Sequence, residues 1–379
     1  MYITGIRIQN FRNIREAELC FDKNLNILVG HNAQGKTNLC EAISVCLGQS
    51  FRHVRFSQFV PADDPKSEVR IKLFFRDDNT DRENVIDYTI RKNNLSITFN
   101  GIKMKDAAEL YGVLKYVIFI PENLNLVKGS PDIRRDYLDN VAWMQTNVHL
   151  KKLTRYNKGL KQRNNILSNY AYNGDISEIK DMLAPWNEIL ATEGVNVTYG
   201  RLRYFSFLKK CAAKIYSELT NGAEELGMEY LSSVYKTESI NFDNADTLYK
   251  FYLSELDKKL SAELKLKYTL TGVHRDDVNF LINGLPARDY ASQGQIRSAA
   301  LALKLSEAEI IRKKNITNPV IILDDILSEL DSVRREYVLN HIENSQVFIT
   351  CCNINDLSVL NGGKAWNTEN GSFTEIRSI

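Results

Sequence analysis

The residues best suited to chemistry are Gly30–Thr37, GHNAQGKT, which follow the spacing G-x-x-x-x-G-K-[ST]. Glycine lets such a loop curve closely around an anion, and the backbone N–H groups then cradle phosphate oxygens. We expect Lys36 to reach the β- and γ-phosphates of ATP and the Thr37 hydroxyl to hold Mg²⁺. The predicted nucleotide contacts of this loop are Gly30, His31, Asn32, Ala33, Gln34, Gly35, Lys36 and Thr37.

The residues on either side of this loop favour a phosphate site over a chance glycine loop. Leu25–Val29 is a short apolar run typical of a buried strand, and Leu39 and Ile43 recur at helical spacing after the loop. A helix that begins at Lys36 directs the positive end of its dipole at the phosphates. The sequence therefore predicts a strand, a P-loop and a helix N-terminus in that order.

Two consecutive carboxylates, Asp324 and Asp325, follow the apolar run Pro319–Leu323. We expect Asp324 to contact the Mg²⁺, directly or through water, as the second metal-side group of a P-loop ATPase. Asp325 points to the opposite face and can position the attacking water as a general base. An acidic turn after a strand is the alternative, which the P-loop makes less attractive.

The element Ser292–Gln295, SQGQ, predicts a second anion site. Ser292 can cap a helix predicted over Ile296–Lys313, and Gly294 lets a ligand approach the backbone closely. The alternative is an ordinary capped helix. Because the P-loop already serves one ATP, a second site suggests the other side of that ATP, contributed by another subunit. The predicted contacts are Ser292, Gln293, Gly294 and Gln295.

The order of strands and helices predicts an α/β fold with a mixed sheet and an antiparallel β meander. From about Leu124 to about Lys265 helical periodicity dominates, and strand character returns at Leu266–Thr271. We therefore expect a split head of residues 1–123 and 266–379, and a helical insertion of residues 124–265. The clearest predicted helices of the insertion are Asp136–Ala142, Ile176–Glu188 and Leu202–Leu219.

Two stretches of the insertion, His149–Tyr170 and Arg201–Lys214, are rich in lysine and arginine and contain no acid. The formal net charge of the chain is only +2, so any surface that attracts nucleic acid must be local. Solvated helix faces are one interpretation, and a surface that follows a phosphate backbone is the other. The predicted DNA contacts are Lys151, Lys152, Arg155 and Arg163.

The composition indicates a globular protein of more than one structural part. The chain has 379 residues, of which 44% are hydrophobic and 25% charged. Its six cysteines include no C-x-x-C pair, which favours reduced thiols in a cytosolic protein. No signal-peptide pattern and no membrane-spanning apolar run is present, so we expect a cytoplasmic protein without a membrane partner.

The order of these motifs resembles the ABC-type ATPase heads of the SMC and recombination proteins. Within that class the chain resembles the RecF family of bacterial recombination mediators over essentially its full length. The matching residues are Asn10-Phe11-Arg12-Asn13, Gly30–Ala42, Pro121-Glu122, Leu126–Leu138, Gly272–Asp277, Tyr290–Leu305 and Leu323–Asp331.

The resemblance implies an ATPase head with a helical lid or arm, and two ATP molecules sandwiched in a head-to-head homodimer. It also implies binding to DNA near single-strand/double-strand junctions, weak DNA-dependent ATP hydrolysis, and cooperation with RecO and RecR. Three further nucleotide contacts follow from it. Arg12 should touch a phosphate or the ribose, Asp331 belongs to the D-loop, and Thr350 occupies the region where transporters place a γ-phosphate-sensing histidine.

Two departures favour a switch over a fast motor. Asp325 stands where transporters carry glutamate, and its shorter side chain draws the carboxylate back. Thr350-Cys351 offers a weaker γ-phosphate sensor than imidazole. A cohesion ATPase of the SMC kind would need a long heptad arm, which the insertion lacks. A non-hydrolysing, ATP-dependent DNA-binding clamp remains the open alternative.

Overall fold

The computed structural model describes residues 1–48, 56–78, 80–92, 94–110, 112–170, 177–235, 244–315, 317–353 and 362–376. The strands are β1 (Tyr2–Phe11), β2 (Ile14–Cys20), β3 (Leu25–Val29), β4 (Val69–Arg76), β5 (Glu83–Arg91), β6 (Asn94–Phe99), β7 (Ile102–Lys103), β8 (Tyr116–Phe119), β9 (Leu226–Leu231), β10 (Asp277–Ile282), β11 (Leu285–Pro286), β12 (Val320–Asp324), β13 (Val347–Cys351), β14 (Lys364–Glu369) and β15 (Ser372–Ile376).

The α-helices are α1 (Lys36–Cys46), α2 (Asn125–Lys128), α3 (Pro131–Trp143), α4 (Asn147–Asn169), α5 (Ser177–Leu219), α6 (Ala245–Leu266), α7 (Ala287–Tyr290), α8 (Gln293–Asn315) and α9 (Ser332–Ile342). Among the described residues, no helix combines the length and the apolar character that crossing a membrane requires. The chain divides into two compact units. The first unit comprises Met1–Asn123 and Lys304–Ile379, and the second unit is Leu124–Leu303.

The first unit contains two six-stranded sheets. One has the order β2-β1-β4-β5-β6-β7 and is antiparallel, as the alternating sequence of this region predicts. The other has the order β15-β14-β3-β13-β12-β8 and is parallel except for its β14–β15 hairpin. All five residues of β12 and of β13 are buried, which matches the continuous apolar runs expected of strands covered on both faces.

The register of the parallel sheet brings the chemically important residues to one edge. Thr350 of β13 lies opposite Leu28 of β3 on one side and opposite Asp324 of β12 on the other. The carboxyl ends of parallel strands meet at the same edge of a sheet, where ligands of α/β proteins bind. The loop that follows β3 and the aspartates at the end of β12 therefore face the same space.

The second unit is mainly helical, with α4 and α6 packed on the 43-residue helix α5. One core cluster of this unit includes Tyr156, Leu190, Tyr252, Leu256 and Val273, all buried. A small antiparallel sheet of order β11-β10-β9 completes the unit. The two predicted helices that start at residues 176 and 202 are one continuous helix here, and Ile176 itself lies outside the described residues.

The predicted strand at Leu266–Thr271 is not formed. Helix α6 continues to Leu266 and ends where Lys267 adopts a left-handed conformation, with φ 66°. The alternation of the sequence is misleading here because the polar residues face inward. Thr269 and Thr271 are each 1% exposed, whereas Leu266 is 51% exposed. The Thr269 hydroxyl is satisfied inside by hydrogen bonds, which removes the cost of burying it.

The unit boundary after the insertion differs from the expected one. Residues 266–303 were expected with the head, but they lie in the second unit. The reason is β9, a strand that the sequence did not reveal. It pairs with all six residues of β10 from Asp277 to Ile282, and its burial alternates along the strand. Pairing of this kind holds the segment to the helices before it.

Candidate nucleotide site

The P-loop lies where β3 ends in the parallel sheet, and α1 begins at Lys36 directly after it. Gly30 runs close to a neighbouring strand, since a Cβ there would lie 2.4 Å from the Thr368 carbonyl oxygen. Gly35 has φ 121°, which favours glycine, and a Cβ there would lie 3.1 Å from Asn13 Oδ1. Both motif glycines are therefore needed to keep the loop tightly curved.

Residues outside the motif brace this loop. The Gln34 carbonyl accepts hydrogen bonds from Asn13 Nδ2 at 3.1 Å and from the Gly371 N–H at 2.8 Å. The Gln34 side chain accepts another from the Asn370 N–H at 2.7 Å. Residues 31–33 of the loop are exposed. The loop is thus held from the β1–β2 turn and the β14–β15 hairpin, while its outer residues stay open to a ligand.

Lys36 and Thr37 lie at the start of α1 as the motif predicts. The Lys36 ammonium donates to the carbonyl oxygens of Gly30 and His31, the latter at 2.8 Å, so its charge lies over the loop. The N-cap of α1 is Gly35, which makes no side-chain cap hydrogen bond within the described part of the chain, so the first N–H groups of the helix stay available to an anion. The cavity above the loop is lined by Asn32, Ala33, Gly35, Lys36, Thr37, Asn38, Asp325 and Thr350.

Asp324 contacts Thr37 of the P-loop, although the two residues are 287 positions apart in the sequence. Its Oδ1 accepts a hydrogen bond from the Thr37 hydroxyl at 3.1 Å and another from the Thr350 hydroxyl at 2.8 Å. The side chain is almost fully buried, and this burial raises the pKa of Asp324 although the two hydroxyls oppose the shift. Thr37 and Asp324, which are both predicted to contact Mg²⁺, therefore lie within hydrogen-bonding distance of each other.

Asp325 lies next to Asp324 but faces the cavity. Its backbone is left-handed, with φ 53°, and its N–H donates to Thr350 Oγ1 at 2.9 Å. The Ser328 hydroxyl lies 3.0 Å from both the Asp325 carbonyl oxygen and its Oδ1. The carboxylate predicted as a general base thus lines the same space as Lys36 and Thr37.

The oxygen atoms at this edge fit Mg²⁺. Among the described residues no cluster of three or more His, Cys, Asp or Glu side chains is present, so a cage made of protein ligands alone is not found there. Mg²⁺ in nucleotide sites needs only one or two protein oxygens, because phosphates and water supply the rest. The Thr37 hydroxyl and the Asp324 carboxylate provide these. In the described part of the chain, both hydrogen bonds to Asp324 use Oδ1 and none reaches Oδ2.

Arg12 does not point to bulk solvent. Its guanidinium pairs with Glu41 of α1, with an N–O distance of 2.9 Å, and Glu41 is buried. The guanidinium also lies 5.6 Å from the centre of the Phe59 ring. A second cavity opens at this place, so the predicted contact with a phosphate or ribose stays a prediction. That cavity is lined by Arg12, Asn13, Arg15, Gln58, Val60, Ala62 and Asp63.

Asp331, predicted to contact the nucleotide, is the N-cap of α9. Its carboxylate accepts a hydrogen bond from the Arg334 N–H at 2.9 Å and also pairs with the Arg334 side chain. The side chain is half exposed, so part of its surface remains open to a ligand. Its role at a nucleotide stays a prediction.

Ser292 begins α8 with a reciprocal capping box. The Ser292 N–H donates to Gln295 Oε1 at 2.8 Å, and the Gln295 N–H donates to Ser292 Oγ at 3.3 Å. Ser292, Gln293 and Gly294 are all exposed. A Cβ added to Gly294 would meet no atom of the described chain within 4 Å. Nothing in the described fold thus requires glycine here, although glycine weakens a helix by about 1 kcal/mol relative to alanine.

The four predicted DNA contacts of α4 differ in their surroundings. Lys151 is exposed, and among the described residues no carboxylate pairs with it. Lys152 and Arg155 lie 3.5 Å and 3.0 Å from the carboxylate of Glu193, which is almost completely buried. Glu193 therefore neutralises much of the charge at these two positions.

Arg163 is not on the surface, so its assignment as a DNA contact is corrected. Its side chain is 0% exposed. The guanidinium donates to Glu263 at 2.7 Å, to Asn187 Oδ1 at 2.7 Å and to Thr269 Oγ1 at 2.8 Å. Each of the three guanidinium nitrogens therefore has a hydrogen-bond partner inside the second unit. Arg163 lies on the face of α4 that packs on α5 and α6, not on the exposed face.

Comparisons with known proteins show the family of the chain. The model of the RecF/RecN/SMC N-terminal domain family matches residues 2–364. The DNA replication and repair protein RecF of Clostridium tetani is 34% identical over 378 residues, which cover 99% of this chain and 100% of the relative. RecF of Clostridium acetobutylicum is 35% identical over 379 residues, with the same coverage. The chain belongs to the RecF family.

Solved structures place the fold in the same group. The recombination mediator protein RecF with ATP, described within the RecFOR pathway, has a TM-score of 0.90 and 34% identity, covering 99% of this chain and 97% of that one. The Smc head bound to the C-terminal winged-helix domain of ScpA has a TM-score of 0.57 at 16% identity, which shows the fold alone. The α/β architecture is therefore that of RecF and SMC-type ATPase heads.

Two arginine–aspartate pairs lie inside the second unit, and one of them joins two of the RecF-like motifs. Arg134 donates to both carboxylate oxygens of Asp277, at 2.7 Å and 2.9 Å. Arg201 donates to both oxygens of Asp139, at 2.8 Å each. Burial opposes ionisation of Asp139, but the charge of Arg201 prevails and lowers its pKa to about 2. Sequence reasoning missed these pairs, although an arginine-rich motif and an acidic one were both visible.

The buried position of Arg163 gives a stability prediction. Arg163→Met should lower the free energy of unfolding by about 3–5 kcal/mol, because Glu263 would remain as a buried carboxylate without its cation. The matched control is Lys161→Met, an exposed change on the same helix expected to stay within about 0.5 kcal/mol. Urea unfolding measures both variants. A stable Arg163→Met protein with weakened DNA binding would contradict this account.

Proposed function

We propose that this chain is an ATP-dependent DNA-binding protein that dimerises on ATP and mediates recombination in DNA repair. It acts at gaps and junctions between single- and double-stranded DNA, and slow ATP hydrolysis works as a switch. The observation that carries the proposal is the meeting of the P-loop with two consecutive aspartates: Asp324 accepts a hydrogen bond from Thr37, and Asp325 lines the cavity beside Lys36 and Thr37. RecF relatives named as DNA replication and repair proteins support it.

The side chains of the cavity support ATP binding and hydrolysis. Lys36 presents its charge over the loop, where the β- and γ-phosphates of ATP bind in P-loop proteins. Mg²⁺, held by Thr37 and Asp324, would neutralise phosphate charge when bound. Asp325 lines the cavity, and its carboxylate can orient the attacking water and accept its proton.

The N-terminus of α8 supports assembly through ATP. Its capping box leaves Ser292 and Gly294 open on the surface, and the space beside Gly294 contains no atom of the described chain. A helix N-terminus favours anions, and a glycine there lets a phosphate approach the backbone. In this proposal the signature segment of each chain completes the ATP site of a second copy, which gives a homodimer with two bound ATP molecules.

The exposed face of α4 supports contact with DNA. Lys151, Lys158 and Lys161 are exposed, and no carboxylate of the described chain forms an ion pair with them. They lie along one side of the helix, and the sequence of α4 contains no acid. A helix face of this kind can follow phosphates without reading bases. Arg203, Lys209 and Lys210 extend the exposed basic surface along α5.

Removing exposed lysines of α4 should change the salt dependence of DNA binding. The double change Lys158→Ala and Lys161→Ala should reduce the slope of log affinity against log salt by about two, because each phosphate contact contributes about one unit. ATP affinity should not change. Lys250→Ala, at an exposed lysine of α6 that pairs with Asp246, is the control. An unchanged slope in the double variant would exclude α4 from the DNA surface.

RecO and RecR are the proposed protein partners. A solved RecF structure described within the RecFOR pathway, 34% identical to this chain, supports this assignment. The partners would help to load a recombinase at a gap. Pull-down of purified RecR by this chain, with ATP and gapped DNA present or absent, tests the link, and lack of capture under all conditions would remove RecR.

A second function is supported by one observation at the catalytic carboxylate. Asp325 is shorter than the glutamate of transporters and is held by a left-handed backbone. Such a site suits an ATP-dependent DNA-binding clamp that does not turn over. Phosphate release separates the two functions: several turnovers per chain with gapped DNA support the switch, whereas release that stops at or below one per chain supports the clamp.

A further inference from the structure

Thr350 links the two aspartates of the candidate site through one hydroxyl. It is 1% exposed and lies opposite Asp324 in the pairing of β13 with β12. Its Oγ1 is 2.8 Å from Asp324 Oδ1 and 2.9 Å from the Asp325 nitrogen. The Asp325 N–H can only donate, so it uses a lone pair of the hydroxyl oxygen. The single hydroxyl proton is then directed to the Asp324 carboxylate.

This arrangement does not suit the predicted role of Thr350 as a γ-phosphate sensor. A sensor needs a donor aimed at the phosphate, and the only donor of Thr350 is used by Asp324. We propose that Thr350 is a positioning residue for hydrolysis, which clamps the Asp324 carboxylate to the Asp325 backbone. The inference rests on the proposed roles of these two aspartates in the function given above.

The backbone conformation of Asp325 explains why it needs the hydrogen bond to Thr350. Its φ of 53° lies in the left-handed region, which costs a non-glycine residue free energy unless neighbouring contacts hold it. Thr350 holds the N–H on one side. On the other side the Ser328 hydroxyl lies 3.0 Å from the carbonyl oxygen and from Oδ1. Without the Thr350 hydroxyl, the partly buried N–H loses its partner and the peptide can relax to a commoner conformation.

The chemical step shows what that relaxation would change. The oxygen of a water molecule forms a bond to the γ-phosphorus, and the bond from that phosphorus to the bridging oxygen of ADP breaks. The proton released by the water goes to the Asp325 carboxylate and then to solvent. Small displacements of a group that orients a reactant lower the rate strongly, by as much as about hundredfold. Substrate binding, in contrast, depends mainly on the P-loop.

Two substitutions of Thr350 isolate the hydroxyl. Thr350→Val keeps the β-branched shape and removes the hydroxyl, and Thr350→Ser keeps the hydroxyl and removes the methyl. We expect kcat of the valine variant to fall about tenfold to hundredfold, and that of the serine variant to stay within about threefold of the parent. Affinities for ATP and ADP, measured with fluorescent nucleotides, should both change less than about threefold in either variant.

Hydrogen exchange provides a readout that needs no nucleotide. The peptide that contains the Asp325 amide should exchange faster in Thr350→Val than in Thr350→Ser and the parent, while peptides of the remaining sheet should not change. If the peptide that contains the Asp325 amide exchanged at the same rate in all three proteins, the proposed positioning role of Thr350 would be overturned. A valine variant that loses ATP affinity but keeps ADP affinity would also overturn it, because that pattern marks a γ-phosphate ligand.

A double variant separates failure of this inference from failure of the proposed function. Asp325→Asn alone should reduce hydrolysis to a low residual rate, and adding Thr350→Val should change that residual rate by less than about twofold because both act through one carboxylate. If Asp325→Asn hydrolysed ATP as fast as the parent, both the proposed function and the positioning role of Thr350 would be refuted. If Asp325→Asn were inactive while Thr350→Val stayed fully active, only the positioning role of Thr350 would be refuted. The positioning role of Thr350 would also be refuted if both Thr350 variants lost activity in proportion to their loss of thermal stability.

Discussion

Lys36→Ala should lower ATP affinity by about tenfold to hundredfold, because a hydrogen bond to a charged group is worth about 1.5–3 kcal/mol. The ammonium lies over the P-loop on the carbonyls of Gly30 and His31, where it can face the expected phosphates. Titration with a fluorescent ATP analogue measures the loss. ATP-dependent dimerisation should fail in the same variant at concentrations that saturate the parent protein.

Lys36→Met is the matched control for packing. Lys36 is 6% exposed, and methionine keeps most of its apolar stem while removing the charge. We expect Lys36→Met to lose ATP affinity like Lys36→Ala but to melt closer to the parent in the absence of nucleotide. Undiminished ATP binding in both variants would rule out this loop as the phosphate site.

Ser292→Arg should abolish ATP-driven dimerisation and hydrolysis while the single chain still binds ATP. The change places a long cation at an exposed helix N-terminus, where the proposed ligand is the γ-phosphate region of an ATP held by a second copy. The side chain occupies the space that the γ-phosphate of the second copy's ATP would need, so the two ATP-loaded copies cannot close on each other. Sedimentation velocity with ATP measures the dimer, and phosphate release measures hydrolysis.

Ser292→Ala separates this effect from the lost cap. It removes only the hydrogen bond from the Gln295 N–H to Ser292 Oγ, which costs about 1 kcal/mol in a typical N-cap. We expect its dimerisation to weaken by no more than about tenfold. If Ser292→Arg dimerises on ATP as well as Ser292→Ala does, α8 does not contribute to a second copy.

Local sequence patterns were sufficient to predict the core of the candidate site. Leu25–Val29 is a strand with the predicted bounds, and α1 begins at Lys36 as predicted. Both follow from short-range chemistry: a fully apolar run, two glycines at fixed spacing and a helical repeat after them. The predicted strand before Asp324 is also formed, one residue later than expected.

Long-range packing determines which basic residues of α4 are exposed, and the sequence alone could not predict this. The basic residues of α4 have similar chemistry, and the side that turns inward depends on α5 and α6. Arg163 is buried because Glu263, far along the chain, is available to pair with it. Lys161, two residues earlier, is exposed. A charge count along one helix therefore indicates that a basic face exists but not which cations belong to it.

The role of Thr350 shows a similar limit. The sequence placed it only in the region where transporters carry histidine. Only the register of β13 against β12 shows that its hydroxyl lies against Asp324 and the Asp325 N–H. Strand β9 was missed for a related reason, since LGMEYL is too short for its alternation to be distinguished from the surrounding helical pattern.

Mixing Ser292→Arg with Lys36→Met tests the trans arrangement most directly. In a mixed dimer one composite ATP site lacks both elements and the other keeps both. Sedimentation velocity of the mixture with ATP, with one chain carrying a mass tag, should show a heterodimer of the summed mass, although each variant alone remains monomeric. A mixture that stays monomeric with ATP would contradict the claim that the signature segment of one copy completes the nucleotide site of the other.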